Sequence, residues 1–297
     1  MGIKKTALIT AGLGGVSYVA YQTIADQLIE KIFIKRQQKR VVETKYLEWL
    51  NSCNAIDVKV RSFDGLKLSA YNIHNHDNDR YIIMLHGIYS DKSDMYGRAM
   101  EFDKLGYNLL LVDQRGAGDS EGEYCTYGVK ESQDLQIWIN YLTQKYQDVK
   151  ICLYGVSMGA AAVMMSTAYK LSENVVCLIE DCGYSSMKEE ISHIIKKDYK
   201  IYFPYPILRM LEKKMKERFG MRFDDVSPKT CLEGNEIPIL FIHGEKDSFV
   251  PPQMATILYN HNKGSKKYYS VADAGHKEAC MDPDYFKNLD RFISTYM

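Results

Sequence analysis

The segment 155–159, with the sequence GVSMG, constrains the fold more than any other part of this 297-residue chain. It follows an apolar run at 150–154 and opens a run of small residues at 160–168, so the pattern predicts a strand, a sharp turn and a helix. Ser157 lies at the apex of that turn. The flanking glycines relieve crowding there, and the serine hydroxyl would project from a helix N-terminus. An ordinary glycine turn is the alternative interpretation of this segment taken alone.

Two later loops supply an acid and a base in the chain order Ser, Asp, His. The run 238–242 predicts a buried strand, and Asp247 lies in the loop that follows it. A further strand is predicted over 267–271, and the next loop contains His276. Catalytic groups of open parallel sheets collect at the carboxyl ends of the strands. The three loops would therefore bring Ser157, Asp247 and His276 to one place.

Five segments in this order resemble the α/β-hydrolase superfamily. They are HG at 86–87, DQRGAGDS at 113–120, GVSMG at 155–159, GEKDSFVP at 244–251 and AGH at 274–276. The resemblance is closest to the serine-hydrolase branch that includes serine aminopeptidase-like, monoglyceride lipase-like and membrane-anchored bacterial hydrolases. It covers about residues 55–297 and implies an α/β-hydrolase fold: a mostly parallel central sheet flanked by helices, with a small helical cap.

This resemblance, together with the chemistry of acyl transfer, implies a role for each matching position. Ser157 would attack an acyl carbonyl, because its hydroxyl becomes a good nucleophile beside a base. His276 would accept and return the proton, and Asp247 would hold the imidazole in the correct tautomer. The backbone N–H of Met158 and, by resemblance, that of Ile88 would form the oxyanion hole.

Other polar residues have simpler interpretations. Asp181 follows a predicted strand and is a rival for the acid, because some relatives carry the acid on that strand; Asp247 has the better loop. His86 is predicted to be a buried, hydrogen-bonded structural histidine, and Arg115 to brace its loop through backbone carbonyls. The stretch 74–77 is predicted to be a hydrophilic turn rather than a metal site. The sequence contains no paired metal-ligand motif, GxGxxG or P-loop, so we expect no metal or cofactor.

Composition fits one catalytic domain. With 46% hydrophobic and 26% charged residues, the chain can bury a large core. A formal net charge of zero argues against a nucleic-acid partner. Alternating helices and strands predict a catalytic domain over 41–297, with a cap at about 184–228. Aromatic residues at 199–206 could line an acyl pocket or simply pack the cap. No sequence pattern indicates an oligomeric state.

The segment 6–25 contains no charged residue and is long enough to span a bilayer. It predicts an uncleaved single-pass membrane anchor, with 1–40 comprising this anchor and a basic linker. A cleaved signal peptide and an interfacial helix are the alternatives. Five basic residues at 31–40 outnumber Lys4 and Lys5, which favours a cytoplasmic catalytic domain. Seven cysteines without a disulfide pattern favour the same side.

These observations predict a cofactor-independent serine hydrolase that cleaves carboxylic esters through an acyl-enzyme intermediate. The expected partner is a small-molecule acyl substrate. Amide or peptide hydrolysis and thioester hydrolysis stay open, because the same triad serves all three. A noncatalytic binding module that keeps the fold is the alternative from a different class.

Overall fold

A computed structural model describes residues 14–34 and 42–297. The first part of the predicted anchor, 6–13, lies outside the described residues, as do four of the five basic residues of the predicted linker. The described chain forms two compact units. One combines the N-terminal helix with residues 186–226, and the other contains residues 42–185 and 227–297.

The larger unit is built on an eight-stranded sheet. The strands are β1 (Ile56–Arg61), β2 (Lys67–Ile73), β3 (Arg80–Leu85), β4 (Asn108–Asp113), β5 (Lys150–Val156), β6 (Val175–Asp181), β7 (Ile239–Gly244) and β8 (Lys266–Val271). They lie in the order β1-β2-β4-β3-β5-β6-β7-β8. Strand β2 pairs antiparallel with β1 and with β4, and the other neighbouring strands pair parallel. The predicted α/β-hydrolase fold, with a mostly parallel sheet, is therefore confirmed.

Helices cover both faces of this sheet, which is why its central strands are continuously apolar. In chain order, the helices of the larger unit are α2 (Thr44–Ser52), α3 (Tyr96–Lys104), α4 (Val129–Lys145), α5 (Met158–Ser166), α8 (Pro228–Cys231), α9 (Gln253–His261) and α10 (Tyr285–Ile293). Helices α2, α3 and α10 pack on one face. Helices α4, α5 and α9 pack on the other, where Trp138 is buried. Side chains alternate along each strand. Met84 of β3 therefore lies in the core under α2, α3 and α10, and Ile83 lies in the core under α4, α5 and α9.

The smaller unit is helical and contains α1 (Gly14–Phe33), α6 (Met187–Tyr199) and α7 (Tyr205–Phe219). The last turns of α1 pack on α7, where Phe33 stacks on Phe219 with ring centroids 4.7 Å apart. On the same interface Arg218 pairs with Glu30 at 2.7 Å. Helix α7 buries four apolar side chains, Ile207, Leu208, Leu211 and Met215.

Across the described residues, no helix combines the length and the hydrophobicity needed to cross a membrane.

Candidate active site

Ser157 stands at a strained turn between β5 and α5. Its backbone has φ 57° and ψ −115°, a conformation that costs about 1–3 kcal/mol and persists only where the surroundings enforce it. The Ser157 N–H donates to the carbonyl of Asp181 at 2.8 Å. A Cβ on Gly155 would clash with the backbone of Gly159, and one on Gly159 with the carbonyl oxygen of Leu85. The two glycines are therefore required by close packing around the serine.

The structure brings together the three residues that the sequence analysis selected from separate loops. Nε2 of His276 lies 3.0 Å from Oγ of Ser157, and Nδ1 of His276 lies 2.7 Å from Oδ2 of Asp247. The other oxygen of Asp247, Oδ1, accepts the backbone N–H groups of Phe249 and Val250, both at 2.9 Å. A hydroxyl, an imidazole and a carboxylate in this order can pass a proton from the serine to the histidine.

Asp247 is held in its ionised form. Burial opposes ionisation of this fully buried side chain, but hydrogen bonds with His243 and His276 outweigh burial and hold the pKa of Asp247 below its ordinary value of 3.8. The site therefore contains a carboxylate at neutral pH, beside a histidine whose side chain is 19% exposed.

The two segments predicted to supply the oxyanion hole both lie next to Ser157. Met158 is the first residue of α5, so its N–H lies among the unpaired donors of a helix N-terminus. Ile88 follows Gly87, in the loop after β3. A Cβ on Gly87 would stand 3.4 Å from Cβ of Ser157, so this loop lies directly against the serine.

His86 is a structural residue, as predicted. It is 1% exposed, its Nδ1 lies 2.7 Å from the carbonyl oxygen of Gly87, and its Nε2 accepts the backbone N–H of Gln114 at 3.1 Å. Burial lowers the pKa of His86, which keeps the imidazole neutral. It therefore fixes the loop that carries Ile88.

The rival acid, Asp181, has other partners. Its Oδ2 accepts the hydroxyl groups of Tyr285 at 2.7 Å and Tyr154 at 3.3 Å, and Arg98 lies 3.9 Å away. Asp247, not Asp181, hydrogen-bonds His276.

The expectation for Arg115 is wrong. Its guanidinium does not bind backbone carbonyls; it pairs with Asp134 at 2.6 Å and with Asp64 at 2.9 Å. Arg115 is 3% exposed, and a buried guanidinium is better compensated by carboxylates than by carbonyl dipoles.

Three buried groups near Asp247 and His276 were given no role from the sequence: Glu180, Cys182 and His243. The available signal was weak, namely charged or polar residues at the ends of the apolar runs that became β6 and β7. The ligand atoms of Cys182, Asp247 and His276 lie within 4.8 Å of one another and form the group of described residues that could hold a metal ion. Two of these three side chains, Asp247 and His276, hydrogen-bond each other.

The chain is similar to known proteins in sequence and in structure. A family model described as "Serine aminopeptidase, S33" matches residues 76–200, a range that includes Ser157 but neither Asp247 nor His276. The chain is 28% identical over 232 residues to an uncharacterized Bacillus subtilis protein, YqkD, covering 78% of this chain and 74% of that one. It is 26% identical over 167 residues to the lysophosphatidylserine lipase ABHD12 of Danio rerio, covering 54% of this chain but only 41% of the lipase.

Among solved structures, the Pyrococcus furiosus esterase Pf2001 superposes with a TM-score of 0.70 at 24% identity, covering 90% of this chain and 99% of the esterase. The chain therefore has the α/β-hydrolase fold. The partial family match agrees with this fold.

Proposed function

We propose that the protein is a serine hydrolase that cleaves carboxylic esters through an acyl-enzyme intermediate. The observation that carries this proposal is the chain of contacts from Ser157 through His276 to Asp247, at 3.0 and 2.7 Å. Because an acid, a base and a strained serine rarely align at hydrogen-bond distances without a catalytic purpose, this geometry outweighs a purely structural interpretation.

The mechanism follows from the donors and acceptors. As Oγ of Ser157 forms a bond to the acyl carbon, its proton moves to Nε2 of His276, and the carbonyl oxygen becomes negative. The N–H groups of Met158 and Ile88 stabilise that charge. The imidazolium then gives its proton to the leaving alcohol as the carbon–oxygen bond breaks. A water repeats the sequence on the acyl-enzyme, releasing the carboxylic acid and restoring Ser157.

A fluorophosphonate probe tests the proposed nucleophile. We expect intact-mass analysis of the full chain to show one adduct on the wild type and none on Ser157→Ala, with the adduct mapped to the peptide that contains Ser157. A folded wild type that acquires no adduct would contradict the proposal and favour a noncatalytic binding module.

Peptide hydrolysis is the second candidate, favoured by the description of the matching family model. The two activities can be separated with one acyl group on three leaving groups: p-nitrophenyl butyrate, butyryl p-nitroanilide and a butyryl thioester. We expect turnover of the oxygen ester and no measurable turnover of the anilide. Turnover of the anilide would assign the protein to amide chemistry.

Lipid esters are a natural class to screen next, because a relative that matches part of this chain is named as a lysophosphatidylserine lipase.

A single-pass membrane anchor at residues 6–25, with the catalytic domain on the cytoplasmic side, remains our proposal for the N-terminus. Recovery of the full chain in the membrane fraction after a carbonate wash would support the anchor, and recovery in the supernatant would contradict it.

A further inference from the structure

Two buried titratable side chains behind Asp247 take no part in the mechanism above. His243 lies near the end of β7 and Glu180 near the end of β6, and both are 0% exposed. In the β6–β7 register Glu180 pairs with Phe241. Because side chains alternate along a strand, His243, two residues after Phe241, lies on the same face of the sheet as Glu180.

His243 holds the turn that carries the proposed catalytic acid. Its Nε2 lies 2.9 Å from the carbonyl oxygen of Val250 and 3.4 Å from Oδ2 of Asp247. A carbonyl oxygen only accepts, so Nε2 of His243 carries a proton and donates it. The backbone N–H of Val250 donates in turn to Oδ1 of Asp247. His243 therefore fixes the position of Asp247 both through Val250 and directly.

Glu180 and His243 each have one unsatisfied polar atom. Oε2 of Glu180 accepts the backbone N–H of Gly183 at 2.8 Å. Its other oxygen, Oε1, has no hydrogen-bond partner among the described residues, and neither does Nδ1 of His243. Buried polar atoms are nearly always paired. The two atoms do not hydrogen-bond each other directly, and a proton shared between them through one water would satisfy both.

The electrostatics of the pair fit a shared proton. Burial raises the pKa of Glu180 to about 8, against the opposing charge of His243. Burial lowers the pKa of His243, but the hydrogen bond to Asp247 and the charge of Glu180 outweigh burial and raise that pKa above its ordinary value of 6.5. Since both pKa values are raised, the pair retains at least one dissociable proton through neutral pH.

We propose that Glu180 and His243 form a second carboxyl–histidine pair, buried behind the triad, that acts as a positioning device for Asp247. The retained proton lets His243 donate toward Oδ2 of Asp247, the oxygen that also accepts from His276, and Glu180 adds no unpaired negative charge beside that carboxylate. This inference rests on the proposed triad, because it assigns the pair its effect through Asp247.

The first test compares two substitutions of His243. His243→Leu removes the donor, and we expect kcat and the rate of fluorophosphonate labelling to fall by about 10- to 150-fold, the effect of losing one hydrogen bond to a charged group. KM should change little, because Asp247 does not contact the substrate. His243→Gln places an amide N–H near the position of Nε2, and it should restore most of the labelling rate.

A matched control is His261→Gln. This histidine has a side chain that is 37% exposed and pairs with Glu233 at 3.1 Å, away from the triad. Its substitution should leave kcat and the labelling rate at wild-type values.

The second test uses the pH dependence of unfolding. The carboxyl of Glu180 titrates near pH 8 in the folded chain and near its ordinary value of 4.5 when unfolded. The stability that its protonated form contributes is fully present below pH 4.5 and is lost as the pH rises through about 8. The Tm of the wild type should therefore fall more between pH 5 and pH 9 than the Tm of Glu180→Gln, whose amide does not titrate.

The outcomes separate this inference from the proposed function. If the wild type is not labelled, the proposed triad fails first. If the wild type is labelled, the pair is refuted by a folded His243→Leu variant that labels at the wild-type rate, or by identical slopes of Tm against pH for the wild type and Glu180→Gln. Should His243→Leu fail to fold, a folded His243→Gln variant that acquires no adduct would equally overturn the donor role.

Discussion

Replacing Asp247 with asparagine exchanges one oxygen for an NH2 group, and the structure determines which one. Oδ1 accepts the backbone N–H groups of Phe249 and Val250, both at 2.9 Å. The amide oxygen of the asparagine must take that position, because an NH2 group there would face two donors. The NH2 group then occupies the position of Oδ2, 2.7 Å from Nδ1 of His276.

This exchange forces the wrong tautomer on the base. An amide N–H facing Nδ1 of His276 requires Nδ1 to accept, so the imidazole proton moves to Nε2 and faces Oγ of Ser157. An Nε2 that already carries a proton cannot take one from the serine. We expect kcat to fall by about 10⁴-fold with the fold intact, a loss of transition-state stabilisation of about 5.5 kcal/mol.

The assay is steady-state hydrolysis of p-nitrophenyl acetate at pH 7.5, with circular dichroism to establish folding. Asp273→Asn is the matched control, because it makes the same change of charge on a side chain that is 89% exposed. The control should retain wild-type kcat. A folded Asp247→Asn variant with more than about a tenth of wild-type kcat would refute the tautomer argument.

Three further predictions concern stability. Gly159→Ala should lower Tm sharply or prevent folding, because its Cβ would meet the carbonyl oxygens at the end of β3, whereas Gly234→Ala, with open space around it, should not change Tm. Arg115→Met should lower the free energy of unfolding, measured in urea, by about 3–5 kcal/mol, because it leaves Asp134 buried without its cation. Replacing Asp134 with leucine as well should recover much of that loss. The lowered pKa of Asp247 contributes stability that is present above pH 3.8 and is lost as the pH falls below that value. Between pH 4 and pH 2, the free energy of unfolding should therefore fall less for Asp247→Asn than for the wild type.

The strands and the order of the site loops could be predicted from the sequence because both depend on local patterns. An apolar run bounded by polar residues predicts a strand over 238–242, and the structure has β7 at Ile239–Gly244. Carboxyl ends of parallel strands share one edge, so the loops that carry Ser157, Asp247 and His276 could be expected to meet. Their catalytic roles remain predictions.

Contacts between distant segments could not be predicted in the same way. Arg115 pairs with Asp64, 51 residues earlier in the chain, and a charged side chain gives no pattern that names its partner. The pair of Glu180 and His243 depends on the register of β6 against β7, which hydrophobic runs alone do not fix.

The N-terminus shows the same limit. The sequence predicts a linker at residues 26–34, whereas these residues form the last turns of α1 and its end. Their packing on α7 uses ion pairs such as Lys214 with Asp26, across a separation of 188 residues.

Rapid-quench mass spectrometry of the full chain with p-nitrophenyl butyrate tests whether Ser157 carries the acyl group during turnover. We expect a transient butyryl adduct on the peptide that contains Ser157, which decays as butyrate is released and is absent from Ser157→Ala. Turnover of the ester by the Ser157→Ala variant at the wild-type rate, or an adduct on another residue that forms and decays with turnover, would contradict it.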